Sequence, residues 1–116
     1  MKTYREMVAW QKGMTLVSHV YQISREFPNE EIYGLTNQMR RAAVSIPSNL
    51  AEGFGRNSKA EMARFAHISI GSLFELQTQL EIASNLQFVD NEVFNAIFNE
   101  CRELERILSA FIRSIS

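Results

Sequence analysis

Apolar residues recur at intervals of three and four over four long stretches of this chain, a pattern that predicts four helices and no strand. In the first stretch Ala9, Leu16, Val20, Ile23 and Phe27 fall on one side, and Trp10, Met14, Val17 and Tyr21 form a second apolar stripe beside them. Thr3 with Glu6 three residues on has capping-box spacing, and Pro28 cannot continue a helix, so a helix is expected over about 4–27. In the second stretch Leu35, Met39, Ala42, Ile46, Leu50 and Gly53 form the inward stripe. Asn29 is its expected N-cap, with Glu30 and Glu31 in the acidic first turn, giving a helix over about 30–54. Pro47 lies inside it and removes one backbone hydrogen bond, so a kink is expected there and not a break.

Ser58 and Glu61 make a second capping box, opening a third helix over about 59–86 on which Met62, Phe65, Ser69, Leu73, Leu76, Leu80 and Ala83 share a stripe. Asp90 caps a fourth, over about 91–115. There Phe94, Ile97, Cys101, Leu104, Leu108, Phe111 and Ile115 alternate spacings of three and four, as knobs-into-holes packing requires. Long helices joined by short connections predict an all-α fold, an antiparallel up-down-up-down four-helix bundle with its second helix kinked at Pro47. At 116 residues the chain holds one domain, 1–116, and its 46% hydrophobic content is enough for one core. Cys101 is the single cysteine, so no internal disulfide forms. The opening MKTYREMVAWQKG has no apolar signal region and no apolar run reaches a membrane-spanning length. The expectation is a cytoplasmic protein with no membrane contact.

Catalytic chemistry finds little purchase. A di-metal bundle needs Glu-x-x-His, but the residue three before His67 is Arg64, and His19 lacks the motif as well. Cys101 sits at a core position, where it packs as a small hydrophobe. No glycine-rich loop follows a strand. No catalytic residue, metal ligand or cofactor is expected, and the chain is read as no enzyme.

The second helix is more informative. Arg41, Ser45, Ser48, Asn49, Glu52 and Arg56 form a stripe roughly opposite the core, bounded by Val44, Pro47 and Ala51. A solvated face normally carries long helix formers, whereas this one is mostly short hydroxyl and amide groups. One reading is a contact surface with defined hydrogen bonds; the other is that Ser and Asn relax the helix around Pro47 by bonding nearby backbone. The third helix has its own second face: Ile68, Gly71, Ser72, Glu75, Ile82 and Leu86. Glu75 among apolar neighbours either pairs with Arg41 or Arg40, within the chain or across a subunit boundary, or is an edge residue reaching water. Two helices with second apolar faces, and Trp10 besides, exceed what one bundle buries, which points to a homo-oligomer.

Charge is unevenly placed. Residues 36–65 carry Arg40, Arg41, Arg56, Lys59 and Arg64 against Glu52 and Glu61, a balance of +3, while residues 66–116 carry three arginines against seven acids, a balance of −4.

The run RRAAVSIPSNLAEGFGR (40–56), preceded by FPNEEIYGLTNQM and followed by GSLFELQTQLEIA (71–83), with Val-Ala-Trp-Gln at 8–11, closely resembles the 23S rRNA intervening-sequence protein family. Leu50 stands where that pattern leads one to expect Ile. The resemblance spans nearly the whole chain and implies a left-handed four-helix bundle assembled as a homopentameric ring. Carried onto this chain, its motif residues are Arg40, Arg41, Ser45, Pro47, Asn49, Glu52, Gly53, Arg56, Gly71, Ser72 and Glu75, with Pro47, Gly53 and Gly71 structural. A related branch, the accessory proteins of diversity-generating retroelements, is similar in fold and binds nucleic acid and a reverse transcriptase through a basic barrel. Two functional expectations follow. One is RNA or DNA binding through Arg40, Arg41, Arg56, Lys59 and Arg64, multiplied by ring symmetry; a pI near 6.1 and the absence of a base-reading motif weigh against it. The other is a scaffold that presents its surface to a protein partner and touches no nucleic acid.

Overall fold

The computed structural model describes residues 1–116, and its element order is four helices: α1 (Val8–Ser24), α2 (Leu35–Gly55), α3 (Lys59–Asn85) and α4 (Asn91–Ile115), with 3-10 turns at Tyr4–Glu6 and Asn29–Glu31. Each helix packs against its sequence neighbours, and α4 returns to α1. The longest dimension is 42 Å, close to the roughly 40 Å length of a helix the size of α3. The molecule is therefore one helix long.

Two helix starts differ from the sequence reading. Thr3 does cap, its Oγ1 accepting from the Arg5 N–H at 3.3 Å, but it heads only the 3-10 turn. Met7 is then extended, and α1 begins at Val8. The cause is packing: Met7 is buried, and Tyr4 turns edge-on to Trp10 with centroids 5.2 Å apart. Likewise Asn29 heads a 3-10 turn and is not the cap of α2. That helix starts at Leu35, whose N–H donates to Glu31 Oε1 at 3.1 Å. Gly34 stands between them, where a Cβ would lie 3.0 Å from the same carboxylate oxygen at the flexible end of Glu31. α1 also stops at Ser24, before Pro28, as the chain tightens through Phe27 N–H to Ser24 carbonyl and drops the Phe27 ring into the core against Phe88.

The other ends follow the sequence. Ser58 Oγ accepts from the Glu61 N–H at 3.2 Å and Asp90 Oδ1 from the Val93 N–H at 2.8 Å. After α3 the N–H of Gln87 bonds Ser84 and that of Phe88 bonds Ala83, a Schellman closure in which Gln87 takes φ 63°.

α2 runs uninterrupted through Pro47. All seven stripe residues of α3 are buried, as are Met39, Ala42, Ile46, Leu50 and Gly53 of α2 and Ile97, Cys101, Leu104 and Leu108 of α4. Ala43, Thr36 and Ile112 join them. α2 and α3 approach closely at Gly53, where an added Cβ would fall 2.7 Å from Phe65 Cβ. Close backbone approach is what a helix-interior glycine provides here.

Candidate functional site

The surface of interest is the outer side of α2 with its two flanks. A helix turns 100° per residue, so consecutive positions divide it. Ser45 and Asn49 lean toward α3, Arg41, Ser48 and Glu52 point outward, and Val44, Pro47 and Ala51 lean toward α1.

The α3 flank is hydrogen-bonded. Ser45 Oγ lies 2.8 Å from Ser72 Oγ, and Asn49 Nδ2 donates to both the Ser45 carbonyl and its Oγ at 2.8 Å. One turn along, Ser69 Oγ donates to the Ile46 carbonyl at 2.9 Å in the buried interface. These bonds all lie within the chain. Asn49 bonds local backbone, while Ser45 ties α2 to α3. Ser48 stays exposed with no bond of its own.

The basic residues do not form one free patch. Arg56 Nη2 donates to Glu52 Oε2 at 2.7 Å, and its Nη1 lies 3.9 Å from Glu61 Oε1; Arg64 Nε reaches Glu61 at 3.0 Å. The Glu52 hydrogen bond, with the charges of Glu52 and Glu61, raises the Arg56 guanidinium above its ordinary pKa. Both arginines also lie over the Phe65 ring. Arg40 is half-buried: its Nε donates to Ser24 Oγ at 2.8 Å and its guanidinium stacks on Tyr21, 4.6 Å from the centroid. Arg41 and Lys59 are exposed and make no ion pair. Together Arg40, Arg41, Asn37, Ser48 and Asn49 line an open groove of ≈ 660 Å³.

Glu75 is exposed and has no ion pair within the chain, so the expected partnership with Arg40 or Arg41 does not form inside one copy. Gly71 also differs from expectation, since a Cβ there would meet nothing within 4 Å. Nothing in the chain itself requires it to be glycine. Pro47, read as a boundary of the polar stripe, is buried, and an added Cβ on Gly13 of α1 would lie 3.5 Å from its ring.

Three features escaped the sequence reading. Tyr4, Trp10, Met14, Val17, Val44 and Ala51 line an apolar groove of ≈ 350 Å³ between α1 and α2; the second stripe of α1 was the signal for it. His19 Nδ1 bonds Glu100 at 2.7 Å, and Lys12 Nζ bonds Glu103 at 2.7 Å, joining α1 to α4. The Lys12 contact holds the Glu103 carboxyl below its usual range. Gln79 is buried with its Oε1 unpaired.

Cys101 is enclosed, and burial first, then the nearby Glu100 and Glu105 charges, push its thiol up to about 12. The nucleophilic thiolate is therefore suppressed. No three His, Cys, Asp or Glu side chains converge to hold a metal ion, and no helix is long and apolar enough to cross a membrane.

A family model described as 23S rRNA-intervening sequence protein matches residues 5–110. Among solved structures the chain is similar to a protein of unknown function from the S23 ribosomal protein family of Bacteroides thetaiotaomicron. The two are 20% identical, with a TM-score of 0.84, and the match covers 91% of this chain and 96% of that one. No curated protein matches.

Proposed function

Because the chain belongs to the 23S rRNA-intervening sequence protein family, we propose that it is a non-catalytic protein that works as an assembly of identical copies, a ring of five by the family resemblance. The observation that carries this reading is a complete core with apolar side chains left over in rows. Val44 and Met14 stand exposed on one side of α2 and Ile68, Ile82 and Leu86 on the other. Contiguous exposed apolar rows are surfaces for association. The test is mass by light scattering from micromolar concentration downward. A multiple of the chain mass is expected; a single-chain mass throughout overturns the reading.

A second reading, nucleic-acid binding by the assembled protein, is favoured by Lys59, which is exposed and carries no carboxylate partner. Arg40, Arg56 and Arg64 are held by Glu52, Glu61, Ser24 and Tyr21. Repetition by symmetry multiplies the free charge, and phosphate-backbone binding then weakens steeply with salt. Lys59→Glu should weaken an RNA gel shift while leaving the particle mass unchanged. Absence of binding at low salt removes this reading and leaves the scaffold for a protein partner.

A further inference from the structure

Resting on the self-assembly just proposed, we infer which surfaces meet: the outer ridge of α3 in one copy seats in the apolar groove between α1 and α2 of the next, a head-to-tail contact.

The groove is concave and apolar, walled by Trp10, Met14 and Val17 of α1 and by Val44 and Ala51 of α2. The ridge is its opposite in shape. Ile68 stands 41% exposed, and one turn on Gly71 leaves the α3 backbone bare. A glycine with no neighbour to accommodate in its own chain allows close approach by something outside it. The two surfaces lie on opposite flanks of α2, separated by Arg41, Ser48 and Glu52, so a copy cannot fill its own groove.

Charge selects a second copy as the occupant. Glu75 lies one turn beyond Gly71 on the ridge, and Arg41 lies one turn before Val44 at the end of the groove. Both are exposed, opposite in sign and unpaired within the chain. Seating Gly71 over the wall between Val44 and Ser48, with Ile68 toward Ala51, brings Glu75 about one helical turn (~6 Å of rise) along α3 to the level of Arg41. Ridge and groove are different surfaces, so each bound copy still presents a free ridge or groove, and the contact propagates until it closes as a ring.

The experiment uses the full chain. Met14→Glu blocks the groove and Ile68→Glu blocks the ridge; both positions are exposed, and circular dichroism verifies folding. If Met14→Glu does not fold, Ala51→Arg replaces it. Wild type should exceed two copies by light scattering, each variant alone should run as a single chain, and their equimolar mixture should form a two-chain particle. Arg41→Glu and Glu75→Arg should each weaken assembly and restore it when combined. An assembly indifferent to both blocking variants overturns this docking while leaving self-assembly intact. A wild-type particle of two copies overturns the head-to-tail arrangement. A single-chain wild type overturns the self-assembly on which it rests.

Discussion

The hydroxyl of Ser69 donates to the carbonyl of Ile46 at 2.9 Å across the α2–α3 interface, with both residues at 0% exposure. It sits one residue before Pro47, where α2 has one hydrogen bond fewer than an ordinary helix. The most closely packed pair of helices is therefore tied by a side-chain bond beside its weakest backbone position. Ser69→Ala deletes that tie, at a net cost of about 1 kcal/mol. Urea unfolding should show a lower midpoint with an unchanged slope; an unchanged midpoint would mean the bond contributes nothing.

Three glycines separate close approach from helix propensity. At Gly53 a Cβ meets Phe65 at 2.7 Å, whereas at Gly55 and Gly71 it meets nothing within 4 Å. Gly53→Ala should lose about 1–3 kcal/mol from overpacking, offset by up to about 1 kcal/mol of improved propensity. Gly55→Ala should be neutral or stabilising by up to about 1 kcal/mol, and Gly71→Ala likewise once dilution has reduced the protein to single chains. Thermal melts of the three order them, and a stabilised Gly53→Ala contradicts the packing described.

Cys101 gives a pH dependence of stability at the alkaline end. Its folded thiol is raised to about 12, so between the unfolded value near 9 and the folded one the unfolded chain releases the proton and the native chain retains it. The contribution is fully present below pH 9 and decreases as pH rises, by up to about 1.4 kcal/mol per pH unit. Unfolding of wild type and Cys101→Ala from pH 8 to 11 isolates it. The wild type should lose stability faster, and parallel curves would refute the assignment.

Trp10 is the single tryptophan and lines the α1–α2 groove. If that groove is covered on assembly, its emission should move to longer wavelength on dilution to a single chain, in step with the fall in mass. Emission constant through dissociation places the contact elsewhere.

What was legible from the residues follows their period. The α3 and α4 stripes and the Ser58 and Asp90 caps depend on spacing within one helix, and spacing is visible in sequence. The starts of α1 and α2 were not legible because tertiary packing decided them. Met7 and Tyr4 are drawn to the bundle end, and Glu31 caps from four residues away across Gly34. The candidate surface divided in the same way. The Ser45, Ser48, Asn49 row was visible, but whether its groups bond locally or across to Ser72 required the second helix. Arg64 follows Glu61 by three residues in α3 and Arg56 follows Glu52 by four at the end of α2, spacings visible in the sequence, but counting net charge over a window does not register such specific pairs.

α2 is read on three sides at once. Ile46 and Pro47 meet Gly13 of α1, Ser45 and Gly53 meet Ser72 and Phe65 of α3, and the remaining positions face outward. α4 is constrained on two sides and carries an outer row of Asn99, Arg102 and Arg106. Mutational tolerance should therefore be lopsided: random substitution should be absorbed along the back of α4 and rejected at nearly every position between Met39 and Gly53.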